Sequence, residues 1–301
     1  MRLALFDDWR LGAVDAAGTS LVDVTAAIPD WSDDELGAGW WVRLVRDFAQ
    51  RRGAIERLAA NPNATAIPLE RVRLRASALN PTKIVAAAAN YAAHVEEMRG
   101  GVLERVAGGV DPALLDFDVF LKAPSALCGP SDRIVLPHGP LVDGKEVHHE
   151  CELTVVIGER ATAVDAADAL DHVFGYTIGL DVTVRGKGER VRRKSYDTFA
   201  PIGPWVTTAD EIPDPMALDI DLTIDGHARQ HVNTRDMTVG VADLIAYASA
   251  AMTLEPGDLL MTGAPPGVGE IHAGETLVCT VSRIGSFSIG VTAPTHAGGS
   301  A

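Results

Sequence analysis

Short apolar segments separated by turn-forming residues make up most of the chain, and several of them alternate with a period of two. The segment 148–158 is one example, because Leu153, Val155 and Ile157 alternate and β-branched residues are frequent. Such alternation is typical of a β-strand that packs one face against a core. The pattern recurs through the last third of the chain, so we predict an α+β fold that is rich in strands.

Helical patterns are fewer, and they help to divide the chain. A run rich in Ala, Leu and Arg predicts one helix from about 40 to 58, and the segment 239–252 has the pattern of an amphipathic helix. The sequence Asn61-Pro62-Asn63 marks a turn or linker. We therefore predict a small N-terminal α+β domain at residues 1–75, a catalytic domain at 76–293 and a disordered tail at 294–301.

Two acidic side chains share one face at the start of the predicted strand. Glu150 and Glu152 are two positions apart, so on a strand they project to the same side. Adjacent carboxylates repel unless a positive group lies between them, and oxygen ligands suit Mg²⁺, Mn²⁺ or Ca²⁺ better than Zn²⁺. Asp181, an acid in an apolar segment, is the natural third ligand. The alternative is a solvated strand end with exposed acids.

A histidine and a glutamate are spaced to form a general base. If residues 90–98 make a helical turn, His94 and Glu97 lie three positions apart on one face. A carboxylate in that position orients an imidazole and raises its basicity, although an ordinary surface pair is the alternative. Paired glycines at 100–101 and 108–109 favour either a mobile flap or a plain surface loop beside this pair.

The charge distribution restricts the partners of the protein. A net charge of −15 disfavours nucleic acid or an anionic membrane as a partner. Against this acidic background, segment 185–194 carries six basic residues and one acid. It is either a solvated loop or a patch that recruits a carboxylate-bearing substrate. The glycines of segment 263–269 let backbone N–H groups approach a ligand.

The cysteines and the apolar segments indicate a cytoplasmic protein. The three cysteines are an odd number without paired spacing, which fits reduced thiols better than a disulfide scaffold. The apolar run at the N-terminus is too short for a signal peptide. No segment approaches the roughly 18 apolar residues that span a bilayer, so we expect no membrane partner.

Five ordered motifs resemble those of the fumarylacetoacetate hydrolase family, including its acylpyruvase-like and 2-hydroxyhepta-2,4-diene-1,7-dioate isomerase-like members. The resemblance covers roughly residues 83–291, and more weakly the segment before them. The motifs are Asn90-Tyr91-x-x-His94-x-x-Glu97, His149-Glu150-x-Glu152-Leu153, Gly175-Tyr176-Thr177 with Asp181-Val182-Thr183-x-Arg185, Lys194-Ser195-Tyr196-Asp197-Thr198-Phe199, and Thr262-Gly263-x-Pro265-x-Gly267-Val268-Gly269. Their order and spacing together are specific, whereas no single motif would be.

This resemblance implies a mixed-sheet β-roll that carries the active site, a small N-terminal domain and a homodimer. It implies a divalent metal, commonly Mg²⁺, on Glu150, Glu152 and Asp181. His94 and Glu97 match a water-activating dyad on a short helix that orders as a lid. Lys194 matches a lysine that stabilises oxyanion charge. The residues expected to contact the substrate are Tyr91, Arg185, Gly263, Ala264 and Pro265.

Two departures from the family pattern affect the expected substrate. Many members carry Thr at the position of Ala264, where the hydroxyl helps to hold the substrate carboxylate. Many also carry Asp at the position of Gly186 and a longer loop before Lys194. The substrate of better-known members therefore does not transfer directly to this chain.

The leading hypothesis is a Mg²⁺-dependent hydrolase that cleaves a C–C bond in a β-diketo acid, such as an acylpyruvate, through a metal-bound enolate. One alternative on the same site is an oxaloacetate-type decarboxylase or a 2-hydroxydienoate isomerase. An alternative of another class is a non-catalytic, metal-dependent keto-acid-binding protein. The presence of both His94 and Glu97 argues against the binding protein, because a binder needs no base.

Overall fold

The structure is a computed structural model, and it describes residues 1–34, 39–99 and 116–294. Nineteen β-strands and six α-helices lie within these ranges. The strands are β1 Arg2–Phe6, β2 Arg10–Val14, β3 Ser20–Asp23, β4 Ile67–Pro68, β5 Ile84–Ala88, β6 Asp118–Lys122, β7 Leu127–Cys128, β8 Arg133–Val135, β9 Val147–His149, β10 Cys151–Ile157, β11 Val173–Leu180, β12 Thr183–Val184, β13 Ala200–Thr208, β14 Asp219–Ile224, β15 His227–Asn233, β16 Leu259–Met261, β17 Gly269–Glu270, β18 Thr276–Val281 and β19 Gly285–Thr292. The helices are α1 Gly39–Arg46, α2 Phe48–Ala59, α3 Ala92–Glu97, α4 His138–Val142, α5 Arg190–Lys194 and α6 Val241–Ala251.

The strands of the described ranges form three sheets. The largest has 11 strands, in the order β4-β3-β2-β1-β13-β11-β10-β16-β5-β6, with β7 beside β13. A five-stranded sheet has the order β15-β14-β18-β19-β8, and a three-stranded sheet has the order β12-β9-β17. Most neighbours are antiparallel, but β5 is parallel to β16 and β8 is parallel to β19, so the sheets are mixed. The predicted strand-rich α+β fold is confirmed.

Two of the predicted elements are interrupted in the structure. The single helix predicted over 40–58 is wrong, because α1 ends at Arg46 and α2 begins at Phe48. The strand predicted over 148–158 is divided into β9 and β10, and Glu150 lies between them. β9 pairs with β12 and β17, whereas β10 pairs with β11 and β16, so the chain changes sheets at Glu150.

The N-terminal strands and helices pack directly on the rest of the chain. Strand β1 pairs with β13 in the large sheet. The rings of Trp41 and Phe48 make edge contacts with Phe174 of β11, at centroid distances of 6.2 and 5.1 Å. One cluster of buried apolar side chains extends through both parts. The domain boundaries at residues 75 and 293 therefore stay predictions, and 295–301 of the predicted tail lie outside the described residues.

The register of β10 and β11 brings the predicted ligands to one place in the fold, because Glu152 pairs with Gly179 and Asp181 follows directly after β11. The backbone N–H of Asp181 donates to the carbonyl of Glu150 over 2.8 Å. A side chain at position 179 would bring its Cβ within 2.4 Å of the Thr154 hydroxyl oxygen, so glycine permits the close approach of the two strands. The three predicted ligands therefore share one end of the hairpin.

Candidate metal centre and active site

Three buried carboxylates meet at this end of the large sheet. One oxygen from each of Glu150, Glu152 and Asp181 lies within 4.8 Å of the other two. Their exposures are only 3%, 0% and 1%, so solvent does not offset the repulsion between them. Burial excludes the alternative of a solvated strand end with exposed acids. The predicted acids thus form a compact site of oxygen donors.

Two cations of the basic segment bind these carboxylates directly. The ammonium of Lys194 donates to Glu150 over 2.6 Å and to Asp181 over 2.5 Å. The guanidinium of Arg185 donates to the other oxygen of Glu150 over 2.6 Å. Burial alone would raise the pKa of Glu150, but the charges of Lys194 and Arg185 outweigh it and hold that pKa well below its ordinary value.

A third cation, Lys122, completes the set. Its ammonium is fully buried and donates to Asp181 over 2.5 Å and to the carbonyl of Phe199 over 2.9 Å. Sequence reasoning missed this residue. The available signal was the position of Lys122 at the end of the apolar residues of β6. A lysine that is buried there needs a charged partner, because lysine is rarely buried without one.

Glu152 is the least compensated of the three acids. One of its oxygens accepts from the backbone N–H of Gly263 over 2.6 Å, and the other is buried without a hydrogen-bond partner among the described residues. Burial, and then repulsion from Asp181 and Glu150, raise the pKa of Glu152 well above its ordinary value. An unpartnered carboxylate oxygen inside a group of three acids fits a hard divalent cation, which takes oxygen ligands and offsets their repulsion.

The predicted base pair forms on α3. Nδ1 of His94 lies 3.1 Å from a carboxylate oxygen of Glu97. Both oxygens of Glu97 also accept from the backbone N–H of Gly267, at 3.1 and 3.2 Å. Glu97 is therefore held from two sides and fixes the imidazole of the buried His94. Because Nδ1 is engaged, Nε2 is the ring nitrogen that remains for proton transfer.

A cavity of about 80 Å³ lies between Glu150 and His94. Its lining contains both polar and apolar residues. The polar residues are His94, Glu150, Arg185, Arg190, Arg193 and Lys194, and the others are Ala87, Ala88, Ala89, Val95, Met98, Phe120, Gly186 and Ala264. One residue of the predicted metal site, the predicted base and part of the basic segment thus line one space.

The residues expected to contact substrate divide into two groups. Arg185 and Ala264 line the cavity. Gly263 contacts Glu152 through its backbone, and the carbonyl of Pro265 accepts from the side chain of Gln230 over 3.1 Å. Tyr91 does not line this cavity but is buried beside it, and burial, followed by the charge of Glu152, raises the pKa of its phenol.

Sequence reasoning also missed Gln230, which joins three parts of the site. Its carbonyl oxygen accepts from the backbone N–H of Cys151 over 3.0 Å and lies 3.2 Å from Nδ1 of His149. Its amide donates to the carbonyl of Pro265. Gln230 therefore connects the residues on either side of Glu150 with the loop that holds Glu97. No local pattern marks a single amide on an otherwise ordinary strand.

Together, the fold and the site define a class of strand-rich enzymes in which buried carboxylates bind a divalent cation beside a His–Glu pair. Residues 83–292 match the family model described as fumarylacetoacetate (FAA) hydrolase C-terminal. The chain belongs to this family.

Relatives with known activities align over almost the whole chain. Maleylpyruvate hydrolase of Aquipseudomonas alcaligenes is 36% identical over 292 residues, which is 97% of this chain and 99% of that protein. The crystal structure of maleylpyruvate hydrolase from Sphingobium sp. SYK-6 in complex with manganese(II) ion and pyruvate has a TM-score of 0.82 at 41% identity and covers 98% of this chain and 100% of its own. A 2-hydroxyhepta-2,4-diene-1,7-dioate isomerase from Mycobacterium marinum has a TM-score of 0.66 at 30% identity, over 97% of this chain and 98% of its own.

None of the helices in residues 1–34, 39–99 and 116–294 is both long enough and apolar enough to cross a bilayer.

Proposed function

We propose that this protein is a metal-dependent hydrolase that cleaves a C–C bond of an acylpyruvate or a related 2,4-diketo acid. The observation that carries the proposal is that Glu150, His94 and Lys194 line one cavity, with Glu150 in a cluster of three buried carboxylates and His94 paired with Glu97. Two maleylpyruvate hydrolases among the relatives support it. Pyruvate, present in the crystal structure of the Sphingobium enzyme, is the fragment that hydrolysis of an acylpyruvate leaves.

Glu150, Glu152 and Asp181 would hold the cation. Because all three ligands are oxygen atoms, Mg²⁺ or Mn²⁺ would suit the site. When bound, a divalent cation acts as a Lewis acid that polarises the keto-acid oxygens of the substrate and stabilises the charge of the departing enolate. The Mn²⁺ of the Sphingobium enzyme supports metal dependence, and the choice of Mg²⁺ for this chain remains part of the proposal.

The residues of the chain carry the proton transfers. Nε2 of His94, oriented by Glu97, takes a proton from water, and the water oxygen bonds to the distal carbonyl carbon. Lys194 stabilises the oxyanion that forms, a contact worth about 3–4 kcal/mol when it is preorganised. The C–C bond then breaks with its electron pair on the pyruvate fragment, and protonation of that fragment, with His94 as the donor, gives pyruvate and a carboxylic acid.

The proposal is tested by incubating the protein with acetylpyruvate, fumarylpyruvate or oxaloacetate, each with Mg²⁺, with Mn²⁺ or with chelator. Hydrolysis removes the ultraviolet absorbance of the diketo-acid enol and yields one pyruvate per substrate, in the metal-containing samples alone. Oxaloacetate converted to pyruvate and CO₂, with the diketo acids untouched, would contradict hydrolysis and favour the decarboxylase. Diketo acids that bind but are recovered intact would favour a binding protein.

A second candidate activity is isomerisation of a 2-hydroxydienoate, and the similarity to the isomerase from Mycobacterium marinum favours including it. Isomerisation moves a proton without an attacking water, so it yields no pyruvate and no second acid. Product analysis by mass spectrometry separates the two activities. A homodimer and a cytoplasmic location remain predictions.

A further inference from the structure

The loop 263–269 contacts an acid of the metal site at one end and the carboxylate of the base pair near the other. The backbone N–H of Gly263 donates to Glu152 over 2.6 Å. The backbone N–H of Gly267 donates to both oxygens of Glu97, over 3.1 and 3.2 Å. The position of this loop therefore sets where Glu97 lies relative to the acids.

One side chain, that of Gln230, holds the middle of the loop. Its amide nitrogen donates to the carbonyl of Pro265 over 3.1 Å, and its carbonyl oxygen accepts from the backbone N–H of Cys151 over 3.0 Å. The same oxygen lies 3.2 Å from Nδ1 of His149. A peptide N–H only donates and a peptide carbonyl only accepts, so these partners allow one orientation of the amide. Gln230 thus joins the loop to the two residues that flank Glu150.

The strand that carries Gln230 also contacts the loop through its backbone. A Cβ at position 267 would lie 2.1 Å from the carbonyl oxygen of Arg229, so Gly267 packs directly against this strand. Gln230 itself is only 2% exposed, and solvent therefore cannot readily take over its hydrogen bonds. Without the amide, the carbonyl of Pro265 and the N–H of Cys151 would lose a partner and would have to shift to find another.

We propose that Gln230 is a positioning residue for proton transfer: it fixes the loop that holds Glu97, and through Glu97 it fixes the direction of the His94 imidazole. This inference rests on the proposed function, in which His94 takes a proton from water. Gln230 is not part of the cavity lining, so it acts without touching the substrate. A shift of about 1 Å in a reacting group can lower turnover about 100-fold, so a distant amide is sufficient to control the rate.

The first test is a double-mutant cycle on acetylpyruvate hydrolysis by the Mn²⁺-loaded protein. Gln230→Met removes the amide and keeps a side chain of similar length. It should lower kcat about 10- to 100-fold and change KM by less than about threefold. In a Glu97→Ala protein, the same substitution should lower kcat by less than about threefold, because Gln230 acts through Glu97. An equal loss in both backgrounds, or a loss that appears in KM alone, would overturn the inference.

Two further variants exclude a general effect on the strand or on folding. His231→Ala is the control, because His231 follows Gln230 on the same strand and its exposed imidazole pairs with Asp221 over 2.6 Å. It should change kcat by less than about twofold. Gln230→Glu, as a carboxylate, keeps the shape and the acceptor but loses the donor to Pro265, so it should show the same pattern if Gln230→Met does not fold. If neither variant folds, the amide is a requirement of folding and the positioning role is overturned.

A measurement without turnover separates this inference from the proposed function. The ¹⁵N NMR signal of Nδ1 of His94, assigned with His94→Ala, reports its contact with Glu97 in the Mg²⁺-loaded protein. In Gln230→Met this signal should move toward that of Glu97→Ala, whereas in His231→Ala it should not, and an unchanged signal in Gln230→Met would overturn the inference. If the signal moves but the wild type hydrolyses no diketo acid, the proposed function fails alone. If the wild type hydrolyses acetylpyruvate and Gln230→Met alters neither the signal nor kcat, the inference about Gln230 fails alone.

Discussion

Lys122→Met tests whether the stability of the folded protein depends on a buried cation that pairs with Asp181 from far away in the sequence. The ammonium of Lys122 donates to Asp181 over 2.5 Å and to the carbonyl of Phe199 over 2.9 Å, and the residue is 1% exposed. Burial lowers the pKa of Lys122, and the charge of Asp181 opposes that shift. Methionine has a similar length and removes the charge without leaving a large cavity.

The expected cost follows from the partners that remain. Removing one member of a buried ion pair costs about 3–5 kcal/mol, because the other charge is left uncompensated. Asp181 keeps its 2.5 Å contact with Lys194, so we expect the lower end of that range, about 3 kcal/mol. For a protein of this size, that corresponds to a fall in melting temperature of about 6–12 °C.

The assay is differential scanning calorimetry of the chelated protein, since a bound cation would add its own stabilisation. Lys145→Met is the control, because Lys145 is a half-exposed lysine whose contact with Asp143 is long, at 3.9 Å. It should shift the melting temperature by less than about 2 °C, as expected for an ordinary surface position. A Lys122→Met protein that melts within about 2 °C of the wild type would refute the reasoning.

Four further outcomes are expected. His94→Ala should lower kcat about 10²- to 10⁴-fold, the range of a general base, while Mn²⁺ affinity measured by calorimetry is retained; loss of the metal would contradict its role. Glu152→Gln should weaken Mn²⁺ binding at least about tenfold in the same assay, and an unchanged affinity would exclude it as a ligand. Gly267→Ala should melt lower than Gly274→Ala, because both glycines have positive φ but a Cβ at 267 would meet a backbone oxygen at 2.1 Å and one at 274 meets nothing; equal melting would refute a steric role. Light scattering should give twice the mass of one chain, and a monomer would contradict the predicted homodimer.

Local sequence patterns predicted that the three acids would lie close together. Period-two spacing indicated a shared side for Glu150 and Glu152, although Glu150 lies between β9 and β10, and the acid in an apolar segment marked Asp181. The spacing of His94 and Glu97 was sufficient to predict their contact, because three positions on a helix bring side chains together. In each case the decisive geometry lies within one or two neighbouring elements.

Features that depend on long-range packing were not predictable in this way. Lys122 lies 59 positions from Asp181, and they meet because β6 and the end of β11 converge through strands that are not consecutive in the chain. The break at Glu150 has the same origin, since β9 and β10 join different sheets. Helix propensity likewise gave no sign that α1 and α2 separate at Asp47.

The cavity also depends on packing that a motif does not encode. Tyr91 belongs to the motif of α3, but in the fold it is buried beside the cavity instead of lining it. Arg193 and Arg192 are indistinguishable in a basic segment until the helix fixes which one faces inward. Side-chain direction on a short helix depends on where that helix docks, and this docking is a property of the whole fold.

Hydrolysis of acetylpyruvate by the Mn²⁺-loaded protein in ¹⁸O-labelled water tests the central claim most directly. Because water attacks the distal carbonyl carbon, the acetate that is released should carry at least one ¹⁸O atom, and one pyruvate should form for each acetate. Release of unlabelled acetate, or consumption of acetylpyruvate without acetate, would contradict water-dependent cleavage at this site.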